Sequence, residues 1–326
     1  MTDTTQLQAS IEQALQAIEY PGQPEGLYEP IAYTLAGGGK RLRPTLLLLA
    51  YSLYRDDWRQ ALPAAVGIEM YHNHTLLHDD LMDRADLRRG RPTVHTRWDD
   101  NTAILSGDTM LILAFRHVMR TEAAPDRLAE AVGLLARTAQ QICEGQQMDM
   151  NFERRDDVSV AEYLEMIRLK TSVLLGCAAR MGALLAGAPE TDCNALYAFA
   201  EQIGLAFQLQ DDYLDVYGDP AVFGKKIGGD IRQGKKTYLL FAALQEAGEE
   251  EGRALLRLLD DRTLPPEEKV AAVTARYGAL HAGERTQEAI SAYYEASRRQ
   301  LQSAGLSPER LQPLWDYACS LLGRKN

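Results

Sequence analysis

The sequence predicts an all-α fold, a single large bundle of long helices around a central cavity. Apolar residues recur at spacings of three and four along most of the chain, as in LAEAVGLLARTAQQICEGQQMDM and NALYAFAEQIGLAFQLQDDYLD, which is typical of amphipathic helices. The alternating pattern of a strand is scarce, and the prolines fall mostly between the helical segments. No Gly/Ser linker or change of composition divides the 326 residues. We therefore predict one domain over residues 1–326.

The segments support this fold in chain order. The apolar run TLLLLAYSLY follows a glycine-rich turn and is too short to span a bilayer. The segment YLEMIRLKTSVLLGCAARMGALLAG has helical spacing throughout, and several helices should exceed twenty residues, above the usual mean. The last third, from EEEGRALLRLLDDRTLPPEEK onward, has amphipathic helices and charged turns without recognisable chemistry. We interpret it as scaffold.

The composition limits the function. The net charge is −11, from 35 basic and 46 acidic residues, which argues against general nucleic-acid or anionic-membrane binding but not against a small anionic ligand. The polar N-terminus MTDTTQLQAS is no signal peptide. We therefore predict a cytoplasmic protein without stable membrane insertion. Its four cysteines are far apart, without a CxxC pair, which favours reduced thiols. They are Cys143, Cys177, Cys193 and Cys319.

Two stretches, LLHDDLMD and QLQDDYLD, carry aspartates with the same spacing. Positions i, i+1 and i+4 lie on one side of a helix, so each set is a self-repelling carboxylate cluster unless a divalent cation bridges it. Oxygen-only ligands suit Mg²⁺, and two facing clusters would form a clamp for a diphosphate. The alternative is two exposed acidic helix faces, but their apolar neighbours make this less favoured. The aspartates are Asp79, Asp80 and Asp83 in the first motif and Asp211, Asp212 and Asp215 in the second.

Basic residues accompany both motifs. The turn GGGKRLRP combines glycines, which let a backbone approach a phosphate, with cations that bind it. The stretch LRRG follows the first aspartates, FGKKIGGDIRQGKKTYL follows the second, and RLKTS lies in an apolar helix, where a lysine can also be a surface residue with a buried stem. The residues are Lys40, Arg41, Arg43, Arg88, Arg89, Lys170, Lys225, Lys226, Lys235 and Lys236.

In this order the motifs resemble those of the trans-isoprenyl diphosphate synthases, or polyprenyl synthetases, of the short-chain type such as geranylgeranyl or farnesyl diphosphate synthase. The resemblance covers residues 28–245, and two DDxxD motifs with interleaved basic motifs are a specific signature. It implies the isoprenoid synthase fold, usually as a homodimer, with the two aspartate motifs facing each other at the mouth of the cavity. They bind three Mg²⁺ ions, for which Mn²⁺ can substitute, together with the allylic diphosphate.

The resemblance also implies roles for single residues. The aspartates of both motifs are metal ligands, with Asp212 beside Asp211 and Asp215. The allylic substrate is dimethylallyl, geranyl or farnesyl diphosphate, and its diphosphate is held by Arg88, Lys170, one of Lys225 and Lys226, and Lys235. Isopentenyl diphosphate, the second substrate, binds without metal to Lys40, Arg43, His72 and Arg89. His72 is one of three histidines in YHNHTLLHDD and has a structural alternative.

The chemistry implied is prenyl transfer. Metals and cations neutralise the leaving diphosphate, so the allylic bond ionises, and an apolar cavity protects the carbocation from water. Thr171, Gln208 and the carbonyl of Lys170 are the dipoles near the cation. Isopentenyl diphosphate attacks head-to-tail, and the released diphosphate takes the proton. A terpene cyclase would lack the second basic site, and a non-catalytic regulatory subunit tends to lose an aspartate motif.

Product length is predicted from residues before the first aspartate motif. In the family, these side chains form the floor of the elongation cavity, and large residues four or five positions upstream stop the chain early. Those positions here are Thr75 and His74, and Tyr71 lies eight positions upstream of Asp79. Thr75 is small, whereas Tyr71 lies about 12 Å from Asp79 along a helix. We predict a twenty-carbon product, with fifteen carbons the alternative if His74 caps the cavity, and longer chains less favoured.

Overall fold

The computed structural model describes residues 3–219 and 227–322, and it confirms the predicted all-α class. In the described ranges, strand structure is limited to a short antiparallel hairpin of β1 (Leu87–Arg88) and β2 (Arg91–Pro92). The α-helices are α1 (Thr4–Gln16), α2 (Glu25–Leu35), α3 (Leu42–Ser52), α4 (Leu62–Met82), α5 (Val94–Arg97), α6 (Asp100–Met119), α7 (Pro125–Phe152), α8 (Val160–Ile167), α9 (Val173–Leu185), α10 (Glu190–Tyr217), α11 (Gly229–Gln233), α12 (Tyr238–Glu246), α13 (Glu249–Asp260), α14 (Pro266–Ala279), α15 (Ala282–Gln302) and α16 (Pro308–Leu322). A 3₁₀ turn (Trp58–Ala61) precedes α4, and a π-helical turn (Arg168–Ser172) joins α8 to α9.

The predicted long helices are present. The helices α7 and α10 have 28 residues each, and α4 and α15 have 21. Local signals fix two helix starts: the Asp99 side chain accepts from the backbone N–H of Thr102 at the start of α6, and Ser159 and Glu162 form a capping box at the start of α8. The segment YLEMIRLKTSVLLGCAARMGALLAG is helical as predicted, but its hydrogen-bond register changes at the π-helical turn.

Backbone contacts group the chain into two compact units, each with its own core. The first unit comprises the described residues before Arg137, with Cys177–Leu196 and Glu309–Leu314. In it, α4 packs against α3 and α6, and α2 also packs against α6. Ile68, Met70 and Tyr71 of α4 are fully buried there. This packing holds the end of α4, which carries the first aspartate motif.

The second unit contains the other described residues. One of its cores joins α12, α13 and α14 through buried residues such as Leu240, Leu255 and Tyr277. Another core packs α8 against the middle of α10, with Tyr163 and Leu209 among its members. The helices α12, α13 and α14 thus share a core, whereas the scaffold role of the last third and the single domain over residues 1–326 stay predictions. Among the described residues, no helix is both long and apolar enough to cross a membrane.

Candidate active site

The first aspartate motif lies at the end of α4. Asp79 and Asp80 are in its last turn, whereas Asp83 is the C-cap and is exposed. Asp80 is only 6% exposed, and Nε of Arg88 donates to both of its carboxylate oxygens at 2.8 Å. Burial raises the pKa of Asp80, and the Arg88 guanidinium opposes this. The first carboxylates of the motif therefore lie beside a protein cation.

The two adjacent arginines point to different partners because they stand in a hairpin turn. Arg88 ends β1, and Arg89 and Gly90 both have positive φ angles, 54° and 75°, as in a two-residue type I′ turn. An arginine in this left-handed region costs about 1–2 kcal/mol. The turn directs Arg88 to Asp80 and the guanidinium of Arg89 to the carbonyl of Gly38, to which it donates a hydrogen bond.

The backbone of the glycine-rich turn GGGKRLRP lies in close contact with the guanidinium of Arg89. A Cβ atom at Gly39 would lie 2.9 Å from both terminal nitrogens of the Arg89 guanidinium, and Gly39 has a φ of 136°. Any larger residue would be strained and would displace the arginine. Lys40, which follows in the turn, is exposed, and its carbonyl accepts from the side chain of Gln8.

Arg43 and His72 form the half-buried part of the same cation cluster. Nη1 of Arg43 donates to Nε2 of His72 at 3.2 Å, so this histidine nitrogen is an unprotonated acceptor. Burial and then the charge of Arg43, with smaller contributions from Arg89 and other arginines, lower the pKa of His72 well below its usual range. Burial also lowers the pKa of Arg43 to about 10. The structure thus places Arg43 in contact with His72, and Arg89 close enough to affect the pKa of His72, whereas their role as an anion site stays a prediction.

A buried carboxylate balances this cluster, and the sequence analysis missed it. Glu69 of α4 is 3% exposed, accepts from Arg41 at 2.8 Å and from Asn73 at 3.0 Å, and its charge opposes the pKa reductions of Arg43 and Arg89. Arg41 also pairs with Glu12. The signal in the sequence was a lone acid in the apolar run AAVGIEMY, since an unpaired charge is rarely buried.

The second aspartate motif has different surroundings. Asp212 is buried and accepts from the hydroxyl of Tyr163 at 2.6 Å, the amide of Gln208 at 3.3 Å and the backbone N–H of Tyr238 at 3.4 Å. Burial, with a further contribution from Asp230, raises the pKa of Asp212 to about 7. Asp215 is also buried and accepts from the backbone N–H of Asp230. Asp211 is half-buried.

Lys170 and Thr171 lie in the π-helical turn, which is a common feature of functional sites. Both are half-buried, and Nζ of Lys170 lies 2.6 Å from the carboxylate of Asp149 on α7. A Cβ atom at Gly145, one turn before Asp149, would come within 2.4 Å of the backbone nitrogen of Lys170. The sequence analysis missed this support; its signal was the glycine and the aspartate four residues apart in EGQQMDM.

The remaining lysines differ in their surroundings. Lys235 is exposed, and its backbone N–H donates to the carbonyl of Asp230. The side chain of Lys236 has other partners: its Nζ donates to the carboxylate of Asp156 and to the carbonyl of Arg155. Lys225 and Lys226 lie outside the described residues, so the choice between them stays as it was.

The three predicted chain-length residues lie on α4 and face different groups. Tyr71 is 1% exposed, and the ring of His74 lies between Tyr71 and His78, at centroid distances of 5.6 and 4.6 Å. Nδ1 of His74 donates to the carbonyl of Gly107 on α6 at 2.9 Å, and burial lowers the pKa of His74 to about 4. Thr75 is half-buried and donates to the carbonyl of His72. Its hydroxyl is therefore held against its own helix.

The aspartate motifs fit a divalent oxygen-binding cation by the chemistry of their donors. Both supply carboxylate oxygens without thiolate or imidazole in the motif, which is the donor set that Mg²⁺ prefers. In the ranges 3–219 and 227–322, no group of three or more His, Cys, Asp or Glu side chains is gathered so that it could hold a metal ion. The contacts of these carboxylates lie within the protein: Asp80 pairs with Arg88, Asp212 accepts from Tyr163, and Asp83 is the C-cap of α4.

Comparisons with known proteins point to one family. The polyprenyl synthetase family model matches residues 24–276. A geranylgeranyl diphosphate synthase of Methanosarcina mazei is 45% identical over 224 residues, which cover 69% of this chain and 69% of the relative. A geranylfarnesyl diphosphate synthase of Natronomonas pharaonis is 44% identical over 246 residues, covering 71% and 72%. A crystal structure of a geranylgeranyl pyrophosphate synthase matches with a TM-score of 0.94 at 42% identity and covers 100% of both chains.

The fold and these motifs define an enzyme of the all-α isoprenoid synthase class. Within that class, the chain belongs to the polyprenyl synthetase family, and it is a trans-prenyltransferase of isoprenoid biosynthesis. Enzymes of this family use Mg²⁺ and act on isoprenoid diphosphates. The resemblance predicted from the motifs is therefore confirmed.

Proposed function

We propose that this enzyme condenses an allylic diphosphate with isopentenyl diphosphate, head-to-tail, to make geranylgeranyl diphosphate. One observation carries the proposal: the RRG turn separates two cation positions, with Arg88 at the aspartate motif and Arg89 at the cluster of Arg43 and His72. Two anion sites within one unit suit two diphosphate substrates. A terpene cyclase needs one such site.

The allylic diphosphate belongs to the aspartate side in this proposal. Arg88 and Lys170 bind it. Each of these cations forms an ion pair with a carboxylate, Arg88 with Asp80 and Lys170 with Asp149. Lys235 is exposed and available to an anion. One of Lys225 and Lys226 is proposed on the resemblance alone. Three Mg²⁺ ions on the two aspartate motifs, or Mn²⁺ in their place, would supply the charge that lets the diphosphate leave.

Isopentenyl diphosphate belongs to the other cation cluster. Arg43, His72 and Arg89 hold its diphosphate, with Lys40 at the exposed rim. A neutral His72 contributes an N–H donor through Nδ1, because its Nε2 accepts from Arg43. The negative charge of Glu69 favours the charged forms of Arg43 and Arg89. This arrangement supports binding of a second diphosphate without a metal.

The reacting carbon is handled by neutral dipoles. We assign the carbonyl of Lys170, the hydroxyl of Thr171 and the amide of Gln208 to this role, and the released diphosphate accepts the proton. Two features support it. The π-helical turn alters the backbone hydrogen bonding around Lys170 and Thr171, and the amide nitrogen of Gln208 is committed to Asp212, which leaves its oxygen for the cation.

The proposal of a twenty-carbon product rests on the side chains of α4. The named relatives do not decide the length, because geranylgeranyl and geranylfarnesyl synthases match this chain at 45% and 44% identity. Tyr71 is a large, buried side chain suited to a floor, and the hydrogen bond to Gly107 holds the His74 ring on α6. We therefore assign the floor to Tyr71 rather than to His74 or Thr75.

A homodimer is proposed from α6. This helix exposes Leu105, Ile112 and Met119, seven residues apart, with exposed fractions of 59–61%. Such a stripe of large apolar side chains on one helix face is costly in water. We propose that a second copy of the chain covers it. The cytoplasmic location stays a prediction from the sequence.

The experiment is a condensation assay with the purified protein, Mg²⁺, isopentenyl diphosphate and each of dimethylallyl, geranyl and farnesyl diphosphate. Products are dephosphorylated and sized by chromatography. We expect twenty-carbon prenyl alcohol. Hydrocarbons formed without isopentenyl diphosphate would show a cyclase, and no turnover with any primer would show a non-catalytic subunit.

The same assay tests the floor with Tyr71→Ala and His74→Ala as a matched pair on α4. If Tyr71 is the floor, its truncation lengthens the product and that of His74 changes little. A fifteen-carbon product in the wild type that lengthens in His74→Ala would show that His74 caps the cavity. No change in either variant contradicts the assignment to this helix face.

A further inference from the structure

Three arginines stand within four residues of the hairpin: Arg88, Arg89 and Arg91. Arg88 and Arg91 are cross-strand partners, so their side chains start from the same face of the hairpin. Like charges directly opposite each other destabilise a strand pair. In the described part of the chain, only Arg88 of the three has a carboxylate within 4 Å, on Asp79 and on Asp80. The hairpin therefore carries positive charge that no carboxylate of these residues neutralises at close range.

Arg91 lies in a cleft between the end of α2, the last turns of α4 and the hairpin, and Arg89 lines the same cleft. Nη1 of Arg91 is 3.8 Å from the position that a Cβ atom would occupy on Gly37, at the start of the glycine-rich turn. The guanidinium of Arg89 donates to the carbonyl of Gly38, the next residue of that turn. The two guanidinium groups therefore lie along one short stretch of backbone.

An aromatic ring holds Arg91 in this position. Its Cζ lies 4.0 Å from the centroid of the Tyr33 ring, and the Tyr33 hydroxyl donates to the carbonyl of Pro92 at 2.8 Å. This bond fastens the ring to the strand that carries Arg91. Stacking fixes the plane of a guanidinium without using its five N–H donors. Among the described residues, the Arg91 side chain donates no hydrogen bond, so these donors remain for a ligand.

We infer that Arg91 is a further binding residue of the isopentenyl diphosphate site, where its guanidinium donates to the diphosphate beside Arg89. The inference rests on the proposed function, which gives Arg89 to this substrate, and adds one cation to it. Two guanidinium groups along one turn can bind separate phosphate groups of one diphosphate. The allylic diphosphate is the other possible occupant, but its proposed cation Arg88 pairs with Asp80, whereas Arg91 lies at the glycine-rich turn.

The first test is steady-state kinetics of Arg91→Gln, with isopentenyl and geranyl diphosphate varied in turn. We expect the Michaelis constant for isopentenyl diphosphate to rise about tenfold, because a charge-assisted contact is lost. The turnover number and the Michaelis constant for geranyl diphosphate should change by less than about twofold. Such a split is the result of losing a contact that binds the ground state and the transition state equally.

The matched control is Arg97→Gln, which removes the same charge from the same aromatic ring. Cζ of Arg97 lies 4.4 Å from the centroid of Tyr33, but Arg97 does not line the cleft, and Glu29 lies 3.8 Å from its Nη2. Its Michaelis constant for isopentenyl diphosphate should change by less than about twofold, because only a screened charge is lost. Circular dichroism confirms that both variants fold.

A double-mutant cycle tests the aromatic support. Tyr33→Leu removes the ring beneath Arg91 and should raise the Michaelis constant for isopentenyl diphosphate about threefold. In an Arg91→Gln background, the same substitution should add nothing, because Tyr33 acts only through the guanidinium. Full additivity of the two effects would contradict this arrangement.

The inference is overturned if Arg91→Gln leaves the Michaelis constant for isopentenyl diphosphate unchanged. It is also overturned if the constant for geranyl diphosphate rises equally or more, or if Arg97→Gln has the same effect. If the wild type condenses its substrates in any of these cases, only the role of Arg91 fails.

Direct binding separates this inference from the proposed function. Isothermal titration calorimetry measures the affinity of the metal-free protein for isopentenyl diphosphate in the presence of a chelator, and Arg91→Gln should weaken it about tenfold. If the wild type condenses nothing, the proposed function fails, whereas the titration still reports on Arg91. Equal affinities of the wild type and Arg91→Gln, or no binding by the wild type, overturn the inference.

Discussion

The two aspartate motifs have the same spacing and opposite surroundings. The first ends α4, and Asp80 faces the guanidinium of Arg88. The second lies within α10, and Asp212 faces neutral donors, among them the hydroxyl of Tyr163 and the backbone N–H of Tyr238. Identical patterns in the sequence are therefore embedded in a charged network in one place and in a neutral one in the other.

The difference shows how each motif tolerates its own repulsion. A cation offsets the charge of Asp80 directly, although burial still raises its pKa. Neutral donors stabilise the Asp212 carboxylate less than a full charge does, and burial raises its pKa to about 7. The first motif has a protein cation as its counter-charge. The second has hydrogen bonds that also fasten α10 to α8 and to the start of α12.

The largest expected effect is on catalysis, and it tests whether both aspartate motifs are needed for the reaction. We predict that Asp79→Ala and Asp211→Ala each lower the rate of condensation at saturating Mg²⁺ by at least about a thousandfold, or about 4 kcal/mol of barrier. The reason is that, in the proposed function, both carboxylate sets bind the metals of one reaction. Steady-state assays with isopentenyl and geranyl diphosphate measure the rates.

Folding provides the control for these two variants. Circular dichroism and thermal unfolding should match the wild type, because removing one of several neighbouring like charges does not weaken a helix. Turnover within tenfold of the wild type in either variant would contradict the metal role of that motif. If only one variant were impaired, the two motifs would differ in function as well as in surroundings.

A smaller effect is on stability, and it tests the hydrogen bonds around Asp212 in the second motif. We predict that Tyr163→Phe lowers the free energy of unfolding by about 2 kcal/mol, because a buried hydrogen bond to a carboxylate is lost. The matched control is Tyr238→Phe: this residue meets Asp212 through its backbone N–H, so its hydroxyl can be removed without touching that contact. Denaturant unfolding measures both.

The outcome separates structural from electrostatic roles of the second motif. A loss confined to Tyr163→Phe would show that neutral donors hold Asp212 and fasten the helices around it. Equal losses in both variants would mean that the hydroxyl bond at 2.6 Å contributes nothing special. The network around Asp212 would then be a poor explanation for its burial.

The sequence predicted what depends on near neighbours in the chain. Helical periodicity predicted the long helices, motif spacing predicted the aspartate clusters, and the family resemblance implied the grouping of Arg43, His72 and Arg89. It did not reveal the partners of Asp80 and Asp212, because Arg88 reaches Asp80 only through a hairpin turn and Tyr163 lies 49 residues before Asp212. Spacing defines which side of a helix a residue occupies, but tertiary packing decides what faces it.

Support residues were harder to predict than the residues they support. Glu69 and Asp149 belong to no recognised motif. Nevertheless, Glu69 pairs with Arg41, and Asp149 pairs with the predicted site residue Lys170. The π-helical turn was also unpredicted, because RLKTS continues the apolar period of the helix around it. A buried counter-charge is recognisable only when both partners are placed.

The smallest predicted effect is a pH dependence of stability that arises from His72 in the cation cluster. Burial and Arg43 lower the pKa of His72 well below its unfolded value of 6.5, so the folded protein prefers neutral His72. The resulting stability is fully present above pH 6.5 and is lost as the pH falls below it, since the unfolded chain takes up a proton that the folded chain refuses. One pH unit below 6.5, the loss is about 1.4 kcal/mol.

The measurement compares the wild type with His72→Gln by denaturant unfolding from pH 7.5 to pH 5.5. The amide keeps an acceptor for Arg43 but does not titrate, so the variant should lack this share of the loss at low pH. The other histidines are present in both proteins and cancel in the difference. Parallel curves would mean that His72 is protonated in the folded state without cost. That result would contradict a hydrogen bond in which Arg43 donates to its Nε2, and with it the packing of the cation cluster around a neutral imidazole.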